Sequence, residues 1–70
     1  MPRRPMVARK TALQSYQIEE LNPFLEWHLH GTTDNRHEAL IWGNSLCQKI
    51  RRSVRILDAS KAVVAQFDAD

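Results

Sequence analysis

One cysteine, two glycines and five aromatic residues are all that this 70-residue chain has of those types. With Cys47 alone, no intrachain disulfide can form, and the usual mark of an oxidising compartment is missing. Gly31 and Gly43 stand well apart, so no glycine-rich loop is available to cradle a phosphate. No stretch approaches the roughly 20 apolar residues of a membrane-spanning helix. The start, MPRRPMVARK, has basic residues but no apolar run of a secretion signal behind them. These absences together set the expectation of a cytoplasmic protein.

The chain is also short of core. Below about 70 to 80 residues, a single core rarely supplies more than about 3–5 kcal/mol. A staple or a partner is therefore expected, and the disulfide is already excluded.

Charge divides unevenly along the chain. Arg3, Arg4, Arg9 and Lys10 precede any acid, whereas the remaining residues hold six bases against eight acids. The basic balance thus belongs to the N-terminal segment. Pro2 and Pro5 restrict helix there, and little in it can be buried, so residues 1–12 read as a flexible basic arm ahead of one small domain, 13–70. Such an arm either keeps the protein soluble or seeks phosphate by counterion release.

From Ser15 the pattern alternates, with Tyr16 and Ile18 on one side and Gln17 and Glu19 on the other, as in a half-buried strand. Thr11 with Gln14 offers a rival capping box for a helix, but Ile18 and Leu21 fall off the face of Leu13 and Tyr16, and strand is preferred. Asn22 and Pro23 supply a turn. Leu25, Trp27 and Leu29 then share a face opposite Glu26, His28 and His30, giving a hairpin from Ser15 to His30.

After the loop Gly31–Asn35, Asn35 can cap a helix with Glu38 three residues on. From Arg36 to about Arg52 the period is helical, with Ala39, Leu40, Gly43, Leu46, Cys47 and Ile50 in one arc and Trp42 at its margin. Lys49, Arg51 and Arg52 suit the negative end of the helix dipole. Alternation returns with Val54 and Ile56 against Arg55 and Leu57, then a polar turn, then a strand from Ala62 to Phe67 that is apolar on both faces.

The expected fold is α+β: a two-layer β-β-α-β-β domain with one amphipathic helix on an antiparallel or mixed sheet. Leu40, Gly43, Leu46, Cys47 and Ile50 are expected to pack on Tyr16, Ile18, Leu25, Trp27, Leu29, Val54 and Ile56. The pattern resembles many small bacterial or phage proteins of unassigned role, a resemblance that carries no functional motif.

Each candidate site has a plainer reading beside it. His28, His30 and His37 with Cys47 could be imagined as a metal site, but they lack a recognised ligand spacing, and His28 and His30 fall on the face opposite Trp27, away from Cys47. No metal or other cofactor is expected. Cys47 reads as a small packed hydrophobe. Glu19 and Glu20 are adjacent and would point to opposite faces, so paired-carboxylate chemistry is not expected either, nor is an enzyme.

Two interaction surfaces remain. Lys49, Arg51, Arg52 and Arg55, with Arg3, Arg4, Arg9 and Lys10, form the candidate nucleic-acid surface, although aromatics to stack on bases are scarce on the expected open face. Ile41 on the polar helix face, Trp42 at its margin, and Leu57 and Val64 on the sheet face away from the helix leave apolar surface that one thin core does not absorb. The leading expectation is a non-enzymatic interaction protein that docks on a protein partner as a homodimer. A nucleic-acid-binding accessory protein is the alternative.

Overall fold

The computed structural model describes residues 15–69. The expected arm, residues 1–12, and the first two residues of the expected domain lie outside the described residues. So do Arg3, Arg4, Arg9 and Lys10.

Among the described residues, four strands and one helix follow one another as β1 (Tyr16–Leu21), β2 (Trp27–Thr33), α1 (Arg36–Ile50), β3 (Val54–Leu57) and β4 (Val63–Phe67). The sheet runs β2-β1-β3-β4, with every neighbouring pair antiparallel. This is the expected one-helix, two-layer α+β arrangement, and the sheet is antiparallel rather than mixed.

The helix starts where the local chemistry says it should. Asn35, extended at φ −112°, accepts a hydrogen bond from the Glu38 amide through its side chain at 2.9 Å. Glu38 does not return the bond to the Asn35 amide. Its carboxylate accepts from the Thr33 hydroxyl at 2.7 Å, and that hydroxyl oxygen accepts the Asn35 N–H at 3.2 Å. The last residue of β2 is thus wired into the first turn of α1. The helix ends at Ile50, because Arg51 turns left-handed at φ 59° and gives its N–H to the Cys47 carbonyl.

Ile18, Val54 and Ile56 are fully buried under the helix, with Ala39, Leu46 and Cys47 above them. Leu40, Ile50, Tyr16, Ala65 and Phe67 pack against this cluster from its margins. Gly43 permits a close approach of the two layers, since a Cβ there would lie 2.8 Å from Ile56 Cδ1 and 3.1 Å from Phe67 Cε2.

The expected inner face of β2 is corrected. Leu25 lies in the turn, 77% exposed, and Trp27 and Leu29 lie on the sheet face away from the helix. Register decides this: Glu20 and Ile18, on the helix side of β1, pair with His28 and Gly31, while Glu19 and Leu21 pair with Leu29 and Trp27. A bulge between these pairs leaves His30 as the extra residue. His30 sits beside Trp42 of the helix, ring centres 5.8 Å apart, so the expectation that His28 and His30 face away from the helix is also overturned.

Val64 is corrected for the same reason. A register shift in the β3–β4 ladder pairs Ile56 with Ala65 and Leu57 with Val63, so Val64 is the bulged residue and packs against the core. Val63, 51% exposed, takes the outward position instead.

Candidate functional site

The outer sheet face is organised around one stack. Glu19 on β1 and Arg55 on β3 are directly paired across the ladder, and Arg55 Nε donates to Glu19 Oε1 at 2.7 Å. The same guanidinium carbon lies 4.2 Å from the centre of a Trp27 ring, a cation–π contact. Alternation of β1 and β3 puts these groups on the side opposite Ile18 and Ile56. Leu29, paired with Glu19, extends the surface and is 56% exposed. Leu57 is buried, close to the hydrogen bond that Lys61 Nζ gives to Gln17, its neighbour across the ladder.

The hairpin tip adds further apolar surface. Asn22 holds the turn, its side chain accepting from the amides of Phe24 and Glu26 at 2.9 Å each. Phe24 is left 83% exposed, and Leu25 is held at φ 66°, a left-handed conformation that glycine or asparagine would adopt more cheaply.

On the helix side, Glu20 forms the polar node. His30 Nδ1 stands 3.0 Å from one of its oxygens and Arg52 donates to the other at 3.0 Å, while Arg52 Nε also donates to the Leu21 carbonyl. The His30 contact above all holds the Glu20 carboxyl below its ordinary value, burial opposes it, and the Arg52 bond adds to the lowering. Ser45 lines the same groove as His30, but no hydrogen bond joins them among the described residues.

The expected basic surface is dispersed. Arg52 is committed to Glu20 and Arg55 to Glu19 on opposite faces of the sheet, and Arg51 sits at the helix end beside Asp68, lining a different hollow with Cys47 and Gln48. Lys49 alone stays on the helix flank near His30 and Trp42. The expected scarcity of aromatics on the open face is corrected in turn, because Trp27 lies there.

The four expected interface residues are also separated. Ile41 is exposed on the helix at 56%, Trp42 is half-buried against the core, Leu57 is buried, and Val64 packs on the helix side. The apolar residues that sequence reasoning missed are Phe24, Leu25, Trp27, Leu29 and Val63. For Trp27 and Leu29 the signal was present as alternation in β2, assigned to the wrong face, whereas Phe24 and Leu25 lie in the turn and Val63 was displaced by the β4 bulge. Cys47 is buried, with its sulfur 3.5 Å from the Phe67 carbonyl. Among the described residues, no group of three or more metal-ligating side chains converges, and no helix is long and apolar enough to cross a membrane.

Compared with known protein families, curated proteins and solved structures, the chain matches none.

Proposed function

We propose that this protein is a non-enzymatic interaction protein that works by docking on protein surface, pairing first with a second copy of itself through the outer face of its sheet. The observation that carries this reading is the Glu19–Arg55–Trp27 stack, flanked by exposed Leu29 and Val63. Tryptophan and arginine are the residues most often found where interface energy concentrates. Here the arginine is already neutralised by Glu19, so covering the face leaves neither of these charges unpaired.

Size favours an extended contact. Four strands about 4.8 Å apart and about six residues long give a face of about 19 by 20 Å. That is small against the roughly 800 Å² per partner of a standard interface, and the hairpin tip with Phe24 and Leu25 enlarges it. A second copy would also supply the burial that a core this thin lacks.

Nucleic-acid binding is the weaker reading. Of the bases proposed for it within residues 15–69, Arg52 and Arg55 are held by carboxylates, which leaves few cations to replace counterions on phosphate.

Sedimentation equilibrium tests the proposal. The wild-type chain is expected to show a monomer–dimer equilibrium between micromolar and millimolar concentration. Leu29→Asp should shift it to monomer with an unchanged circular dichroism spectrum, and Ile41→Asp should leave it in place. A wild-type chain that stays monomeric throughout would sink the reading. Binding of mixed DNA or RNA that weakens steeply with salt would favour the alternative.

A further inference from the structure

The geometry points to a second docking site on a different surface: the outer edge of β2, with the groove between that strand and α1, takes an extended acidic–apolar segment of a partner protein as an added strand.

β2 is an edge strand, and no strand pairs its outer side among the described residues. Edges are commonly guarded by lysine, other charges or proline. β2, with the sequence WHLHGTT, has no lysine, arginine, carboxylate or proline, and although the bulge at His30 interrupts it, it is the longest strand among the described residues. A row of backbone donors and acceptors otherwise met by water is a ready template for another extended chain.

The groove beside this edge is about 350 Å³ and is lined by His30 from β2 and by Trp42, Ser45, Leu46, Lys49 and Ile50 from the helix. It exists because Gly31 has no side chain, which lets the Trp42 indole settle onto the strand. An added strand would point every second side chain to this side of the sheet. The apolar walls of Trp42, Leu46 and Ile50 suit an aliphatic group there. Lys49 makes no ion pair among the described residues, while the neighbouring Arg52 is already bound to Glu20, so an incoming carboxylate has one uncommitted cation to meet.

The same features disfavour a second copy at this edge. A partner β2 would bring His28, His30, Gly31 and Thr33 to the helix side, with no aliphatic group for the groove and no carboxylate for Lys49.

The test uses the full chain, ¹⁵N-labelled, titrated with a capped alternating glutamate–leucine hexapeptide and with its lysine–leucine counterpart. Saturable shifts are expected at the Gly31, Thr32 and Thr33 amides and at the Trp42 indole N–H for the acidic peptide, with slowed exchange of β2 amides. Lys49→Glu should weaken the acidic peptide roughly tenfold and strengthen the basic one. The proposal is overturned by any of three results: no saturable binding, equal response to both peptides, or shifts centred on the outer-face side chains, the Trp27 indole N–H with Arg55 and Val63. Dimer mass, measured separately on the outer-face variants, reports on the other surface, so the two readings fail independently.

Discussion

The indole of Trp42 occupies the space where a side chain on Gly31 would stand. A Cβ on Gly31 would come within 2.9 Å of Cζ2 and closer still to Cη2. This one substitution of aromatic ring for side chain ties the edge strand to the helix and shapes the groove beside it.

Gly31→Ala should therefore destabilise the fold by about 1–3 kcal/mol, the usual cost of overpacking. Gly43→Ala meets a different balance. Alanine gains about 1 kcal/mol of helix propensity, and the atom it strikes first, Ile56 Cδ1, is the movable end of a side chain. Urea unfolding should rank Gly31→Ala as the worse of the two. The reverse order would mean that the ring yields more readily than the core.

What could be read from the sequence follows the range of the forces involved. The helix and its cap were legible because Asn35, Glu38 and the buried arc of Ala39, Gly43, Leu46 and Cys47 act within a few residues of one another. The face of β2 was not, because alternation says which residues share a side but not which side meets the helix. That choice is made at long range, by Trp42 on Gly31 and by pairing with β1. A glycine inside a strand pattern is itself a sign of close approach, and it was the available clue. The bulges at His30 and Val64 broke parity in ways that composition does not announce. The run KIRRSVR looked like one basic patch, yet the left-handed Arg51 and the start of β3 at Val54 send Arg52 and Arg55 to opposite faces.

The link from Thr33 to Glu38 makes the helix cap a shared device of β2 and α1. Asn35→Ala should cost about 1 kcal/mol, as loss of a side-chain cap usually does. Thr33→Val keeps the shape but removes both the donor to Glu38 and the acceptor for the Asn35 amide. A double-mutant cycle in urea should find the two losses non-additive. Full additivity would show that the residues cap independently.

Glu20 should contribute to acid sensitivity with a definite sign. Its folded pKa lies below the ordinary value of 4.5, so its stabilisation is fully present above that pH and is lost as pH falls through the folded value. Glu20→Gln is expected to be less stable than wild type near neutrality, by no more than about 1 kcal/mol for a partly solvated pair. The gap should close as pH drops below 4.5. Asp58, held low by the Ser60 hydroxyl and the Ala62 amide, and Asp68, held low by Gln66 and Ser53, act in the same direction. A gap that widens on acidification would contradict the assignment of Glu20 as the stabilised carboxylate.

Leu25 and Arg51 both hold left-handed backbone without being glycine, at φ 66° and φ 59°, and comparing them separates stability from docking. A side chain in that conformation costs roughly 1–2 kcal/mol, part of which glycine returns as greater freedom of the unfolded chain. Leu25→Gly and Arg51→Gly should each raise stability by about 0.5 kcal/mol or slightly more, measured by urea unfolding at concentrations where the chain is monomeric. Their effects on association should differ. Arg51 lies at the helix end, on the side of the sheet opposite the Trp27 stack, and its replacement should leave the dimerisation constant unchanged. Leu25, 77% exposed at the hairpin tip, is part of the surface proposed to meet a second copy, so its loss should weaken the dimer while stabilising the monomer. If Leu25→Gly stabilises the fold and leaves association untouched, the tip is excluded from the interface and docking is confined to Trp27, Leu29 and Val63.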